Sequence, residues 1–357
     1  MQTTYILVIN PGSMTTRVSL FEDDKETISE EIVHDNEEIL KCKEIIDQLP
    51  IRYAGVDDFI QRHDIQGKLS AIACRGAPLK PVVAGTYIVE ESLVSELKAG
   101  NVATPHVSML AILIGWEIAG KLGLNAYFTD PISVDEFEDV ARLTGRPEIK
   151  RRSLWHALNC RAVTRRAAEE MGKGINDINA LVAHMGSGIT VAAFEKGKCI
   201  DACNANSESP FSPERSGTLP FQDFVEFCYN GKYTESEMLK LLMKKSGLTA
   251  LLGTNDCLEI QKRIENGDKE AKLVYDSMAY NIAKTIGAYA PCLCGRIDAV
   301  IFTGALARSQ YVIEYLKQRV SFLGRIFVYP GQDEMSALAY GTRQVLLENA
   351  KPMKYTV

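Results

Sequence analysis

The chain has 357 residues, 46% apolar and 24% charged, with a net charge of −6. That composition excludes a disordered, fibrous or membrane-spanning chain, and the length argues for two domains rather than one core. The acidic balance excludes a basic face that grips nucleic acid; the short runs Lys150-Arg151-Arg152 and Lys244-Lys245 read as solvated helix ends.

In chain order, the first apolar run, Tyr5 to Ile9, has the length of a strand. It stops at Asn10-Pro11-Gly12-Ser13, so it is neither a signal-peptide core nor a membrane span. Arg17 to Glu22 alternates as a second strand and ends in the turn Asp23-Asp24. A strand at about 70–74 leads into Arg75-Gly76, a helix is predicted from about 105 to 122, and a short strand at 126–128 ends at Asp130-Pro131. A further helix is predicted from about 154 to 171. The opening pattern then returns: Ala180 to Gly188 repeats the strand and glycine turn, and Thr190 to Glu195 repeats the second strand. Gly12-Ser13 maps onto Gly186-Ser187, and Phe21-Glu22 onto Phe194-Glu195 with one residue deleted. Two such units, half a chain apart, imply duplicated α/β domains. In the second half, helices are predicted at 220–229, 234–245, 255–265 and 268–291, the last capped by Asp268. The run Ala299 to Phe302 is continuously apolar, as in a strand covered on both faces, and enters Thr303-Gly304-Ala305. A last helix spans about 335–348. No low-complexity linker intervenes, and a hinge is expected near 150.

Glycine lets a backbone approach a phosphate, and turn N–H groups form an anion cradle. Either glycine turn alone reads best as a simple hairpin; for the repeated pair a polyphosphate site and a simple hairpin both stand. Gly304 ends a buried strand, where ligands sit in open α/β sheets. Arg75 and Arg215 lie beside glycines, and their planar forks suit carboxylate and phosphate oxygens, although a lone arginine also serves in surface ion pairs. Five histidines are present. His34 and His63 sit in charged surroundings and read as surface residues; His106, His156 and His184 could equally cap helices or fill the core. Asp130 and Glu334 lie where a carboxylate could hold Mg²⁺ through water or simply cap a turn. Nine scattered cysteines lack paired CxxC spacing, so a zinc site is not expected. Cys292-Leu293-Cys294 reads as buried reduced thiols, in keeping with a reducing cytoplasm.

Together these segments resemble the acetate and butyrate kinase family of the actin, sugar-kinase and Hsp70 superfamily. The resemblance rests on residues 8–17 (Val-Ile-Asn-Pro-Gly-Ser-Met-Thr-Thr-Arg), 75–81, 155–159 (Trp-His-Ala-Leu-Asn), 184–188 (His-Met-Gly-Ser-Gly), 212–220, 252–256, 303–307 and 329–335. Ser-Pro-Glu-Arg at 212–215 and Pro-Gly-Gln-Asp-Glu-Met at 330–335 are similar to the butyrate branch. The resemblance implies an α/β fold of two duplicated actin-like (ribonuclease H-like) domains facing a central cleft. One would comprise 1–150 plus 335–357 and the other 151–334.

It further implies reversible transfer of the ATP γ-phosphoryl group to a short-chain carboxylate, with ATP/ADP and Mg²⁺ as cofactors. Asn10, Ser13, Thr15 and Arg17 would form the first phosphate loop, Arg17 standing where acetate kinases tend to have lysine. Arg75 and Arg215 would clamp the acyl carboxylate and the phosphoryl in flight. Asp130, Glu334 and Asn10 would position Mg²⁺, and His156 would donate to an equatorial oxygen. His184, Gly186 and Gly188 would line the second phosphate turn, Gly304 the adenosine site, and His106 the acyl pocket. A homodimer in the cytoplasm, with no nucleic-acid or membrane partner, is implied as well. Ala77, Ser187 and Ala305 depart from the family wording, which commonly has glycine there. A sugar kinase, a polyphosphate phosphatase and a nucleotide-binding sensor are the other readings; the pair of arginines, suited to an anionic substrate, favours the acyl kinase.

Overall fold

The computed structural model describes residues 3–102 and 106–356. Among the described residues twelve strands form two sheets. The first contains β1 (Tyr5–Pro11), β2 (Thr15–Glu22), β3 (Lys25–Val33), β4 (Ala71–Cys74), β5 (Thr86–Ile88) and β6 (Ala126–Thr129). The second contains β7 (Asn179–Met185), β8 (Ile189–Glu195), β9 (Lys198–Ala202), β10 (Ala299–Gly304) and β11 (Arg325–Pro330); the short β12 (Met353–Lys354) returns to the first. The orders are β12-β5-β6-β4-β1-β2-β3 and β11-β10-β7-β8-β9.

Five strands of each sheet share one topology. β1, β2 and β3 run antiparallel in sequence, as do β7, β8 and β9. On the other side of β1, β4 and β6 run parallel to it, and β10 and β11 stand in the same relation to β7. The repeat extends to an irregularity: the β2–β3 register shifts between Leu20 and Phe21, and the β8–β9 register between Ala193 and Phe194. These are the positions that the sequence repeat aligns.

The chain divides into two compact units, Met1–Asp135 with Asp333–Val357, and Glu136–Gln332. The first break falls before the boundary expected at 150, because residues 136–151 are tied into the second unit. Glu136 accepts from Cys199 N–H and pairs with Arg161, and Glu138 N–H donates to the Ile200 carbonyl. Arg151, expected at a solvated helix end, instead pairs with Asp201 at 2.8 Å and Glu208 at 3.0 Å.

Each sheet is covered by helices whose apolar residues were visible in the sequence. Met109–Leu122 is apolar almost all round, as a helix buried between layers must be, and packs on β4 and β6. Residue 105, where this helix was expected to begin, lies outside the described residues. The last helix, Glu334–Leu346, packs on β1, β4 and β6. In the second unit, Leu181, Ala183 and Met185 of β7 join one core with Tyr275 and Ile282 of the helix Lys269–Tyr289. Asp268 caps that helix, accepting from Ala271 N–H. On the alternate face of β7, His184 meets the helix Ala157–Glu170. All six residues of β10 are buried, as its unbroken apolar run requires. Among the described residues no helix is long and apolar enough to cross a membrane. The nine cysteines are unpaired. Cys294 is exposed, contrary to the expectation of burial, because it ends a short turn in the left-handed conformation.

Candidate active site

In the first unit, the ends of β1 and β4 and the start of the last helix bring three expected residues together. Asn10 Nδ2 donates to Glu334 Oε2 at 3.0 Å, and Arg75 Nη1 lies 2.5 Å from Glu334 Oε1. This pair is close without being an aligned hydrogen bond: Arg75 Nη1 has no partner of acceptable geometry. Both side chains are largely covered, so their attraction is screened less than that of a surface pair.

Gly76 explains why the arginine is followed by glycine: a Cβ there would sit 2.6 Å from Pro131 Cβ. That close approach sets the Arg75 turn against Asp130-Pro131. Asp130 is buried at φ +41°, a conformation aspartate adopts at a cost. Its Oδ1 accepts from Gly85 N–H at 2.8 Å, while its own N–H donates to the Gly85 carbonyl. Two carboxylates and the amide oxygen of Asn10 are the hard oxygen donors that Mg²⁺ takes alongside water and phosphate. Among the described residues no group of three or more acidic, histidine or cysteine side chains gathers that could hold a metal ion by itself.

The first glycine turn is closed by Gly12 N–H donating to the Thr15 carbonyl at 2.8 Å. Ser13 is exposed at its tip, and Thr15 Oγ1 donates to Glu31. Arg17, expected in this loop, points along β3 instead, pairing with Glu26 at 3.1 Å and donating to Ser29. The guanidinium that touches the turn is Arg52, which sequence reasoning missed. His34, read as a surface residue, is buried with Nε2 2.8 Å from Thr16 Oγ1, and burial and then Arg52 hold it below the ordinary histidine range. His106 is exposed before the helix Met109–Leu122, its Nδ1 2.9 Å from Ser108 Oγ.

In the second unit the geometry centres on the turn after β7. Gly186 N–H donates to the Gly188 carbonyl. The Arg215 guanidinium lies on Gly188, where a Cβ would be 2.6 Å from Nη1. Arg215 is held by neutral acceptors, the Ala205 carbonyl and Asn206 Oδ1, both at 2.8 Å; its Nε is buried with no partner. Burial lowers its pKa from a very high starting value, leaving the charge in place. The loop bearing it is joined to the turn by Ser212, whose hydroxyl donates to the Ser187 carbonyl and accepts from Arg215 N–H. Sequence reasoning passed over Ser212, although its place three residues before the arginine fits such a loop-closing contact.

His156 and His184 stack at 4.0 Å, nearly parallel. His156 Nδ1 is 2.8 Å from Thr190 Oγ1; His184, fully buried, takes Asn159 Nδ2 on Nδ1 and has Gln332 Nε2 3.3 Å from its Nε2. Both histidines therefore stand at the glycine turn, held by neighbours from separate elements. Gly304 has φ +91° and exchanges two 2.9 Å hydrogen bonds with Gly331. It lies against β7 so closely that a Cβ would be 2.6 Å from the Met185 carbonyl carbon. Beside it opens a cavity of about 460 Å³, lined in part by Gly186, Asn255, Asp256, Ala305 and Arg308. Ser187 and Ala305, two of the departures from glycine, line this cavity as exposed residues, whereas Ala77 is buried in the first core.

A duplicated sheet topology with a glycine turn after the first strand of each unit defines the two-domain actin-like fold. The chain also matches the sequence profile of the Acetokinase family over residues 146–356. It belongs to that family. The acetate kinase of Porphyromonas gingivalis superposes with a TM-score of 0.77 at 19% identity, covering 96% of this chain and 100% of that one. For the acetate kinase of Entamoeba histolytica the values are 0.80, 16%, 96% and 100%. A propionate kinase of Francisella tularensis subsp. tularensis gives 0.75, 17%, 95% and 98%.

Proposed function

We propose that this protein transfers the γ-phosphoryl group of ATP reversibly to the carboxylate of a short fatty acid, butyrate or a short or branched homologue, giving an acyl phosphate and ADP. Family membership supports the carboxylate kinase class, and the wording at 212–215 and 330–335 supports the butyrate branch. The observation that carries the reading is the Arg215 guanidinium lying on Gly188 with only neutral acceptors and a free buried Nε. A cation so placed at a glycine turn suits an anion with several oxygens.

The chemistry follows from charge. A carboxylate is already a nucleophile, so no strong base is needed; the obstacle is repulsion between two anions. Arg75 binds the acyl carboxylate, and Arg215 stabilises the equatorial oxygens of the phosphoryl group as charge shifts onto them. His156 donates to one of those oxygens. Asn10, Ser13 and Thr15 take phosphate at the first turn, His184, Gly186 and Gly188 at the second. The cavity beside Gly304 takes the adenosine, and His106 borders the acyl group. Asp130, Glu334 and Asn10 would hold Mg²⁺, directly or through water, and the ion would neutralise phosphate charge. The protein acts as a cytoplasmic homodimer in this reading, and its nine unpaired thiols support a reducing compartment.

The test is an acyl-hydroxamate trap with ATP, Mg²⁺ and two- to five-carbon acids. Product peaking at butyrate or its branched isomer is expected, and Arg215→Ala should lower it by orders of magnitude while the protein stays folded. Folded wild-type protein that yields no product with any acid would refute the reading.

A further inference from the structure

The helix Leu49–Arg62 carries Arg52 into the first core with no exposed surface. All of its hydrogen bonds go to neutral oxygens. Nε donates to Gln48 Oε1 at 3.0 Å, and Nη1 donates to the Thr15 carbonyl at 2.9 Å and to Thr16 Oγ1 at 3.0 Å. Nη2 donates to the Ser13 carbonyl at 2.8 Å. Among the described residues no carboxylate pairs with it. A buried guanidinium without a counter-charge is costly, and a methionine of similar reach would pack there more easily.

What the charge does is visible in its partners. The Ser13 and Thr15 carbonyls flank the tip of the first glycine turn, and the Thr15 carbonyl also takes Gly12 N–H. In a trans peptide, a carbonyl drawn toward Arg52 sends the following N–H the opposite way. The Met14 N–H is thus aimed away from the core, on the side where Ser13 is exposed. One buried group fixes the turn's backbone and places a positive charge behind the Met14 N–H.

We propose that Arg52 is a positioning residue of the first phosphate turn: it holds the Met14 N–H outward at the turn's tip, and the polyphosphate of a nucleotide supplies the counter-charge that the protein does not. The proposal rests on reading this turn as a phosphate site.

It is tested on the full chain by comparing Arg52→Met and Arg52→Lys with wild type. Dissociation constants for ATP, AMP and adenosine are measured by calorimetry, and KM is measured for the carboxylate. Arg52→Met is expected to weaken ATP ten- to a hundred-fold, leaving adenosine and the carboxylate KM within twofold. Arg52→Lys, which keeps the charge but cannot bridge both carbonyls, should restore part of the loss. Equal losses for ATP and adenosine would show a merely structural role and overturn the proposal, as would ATP binding at wild-type strength. Should the methionine variant not fold, the lysine variant carries the test: a several-fold loss specific to ATP supports the proposal, and an unchanged ratio of ATP to adenosine affinity overturns it. Wild-type protein that binds ATP no more tightly than adenosine would remove the phosphate-turn reading itself, and the proposal with it.

Discussion

Gly188→Ala separates chemistry from stability. The backbone at Gly188 is not in the left-handed region, so alanine can adopt it without strain. Its methyl, however, would stand 2.6 Å from Arg215 Nη1 and 2.7 Å from Cζ, against an ordinary contact that begins at 3.4 Å. The guanidinium must therefore retreat by roughly 0.8 Å, the difference between 3.4 and 2.6 Å. Nη1 is the same atom that donates to Ala205 and Asn206, so both bonds lengthen. Weakening, without losing, two bonds from the guanidinium to neutral acceptors costs about 1–2 kcal/mol, which leaves a domain of ordinary stability folded. Misplacing a reacting group by about 1 Å can cost on the order of 100-fold in rate. We expect acyl-phosphate formation to fall roughly 10- to 100-fold in kcat, with a urea midpoint near wild type. Wild-type kcat in the alanine variant would refute both the contact and the role given to Arg215.

Gly304→Ala should behave in the opposite way. Its extended, positive-φ backbone is all but reserved for glycine, and the new methyl would meet backbone atoms of Met185 that cannot rotate aside. A loss of about 2–6 kcal/mol is expected from backbone strain and overpacking together; an unchanged urea midpoint would count against it. His34 governs a pH effect. Its pKa is lowered in the folded state, so the unfolded chain takes up the proton first as pH falls below about 6.5. Stability should therefore fall through that point and level off once the folded state also protonates. His34→Gln should flatten this part of the profile, and parallel wild-type and variant curves would refute it.

The repeat and the layers were legible because each follows a local rule. Alternation marks β2, its repetition marks β8, a continuous apolar run marks β10, and Asp268 marks a helix start. The one-residue deletion in the repeat falls in the glycine turn, which has four residues between Pro11 and Thr16 and three between Met185 and Ile189. The helix Gln310–Val320 was readable too, from Ser309 followed by Val312, Ile313, Leu316 and Val320, but was passed over. Arg52 was not legible, because an arginine that recognises backbone carbonyls 37 and 39 residues away leaves no spacing to find. His34 misled for a related reason: its neighbours in sequence are charged, but its neighbours in space are Thr16 and Arg52. For Arg17, the first glycine turn suggested a phosphate contact, while strand pairing turned the side chain toward Glu26. The break lies before Glu136 and not near 150 because Glu136 pairs with Arg161 in the second unit.

The division of the chain also sets an order of assembly. The second unit is continuous, but the first needs the segment from Asp333 onward, which supplies the helix over β1, β4 and β6 and the edge strand β12. During synthesis the earliest residues therefore wait for the latest, through roughly 200 residues, or about 10–40 s at common translation rates. Arg75 and Asn10 meet Glu334 only when that wait ends. A nascent chain halted near residue 330 should hold a folded second unit beside an unfinished first one, so that the two glycine turns become ordered at different moments in the life of the same molecule.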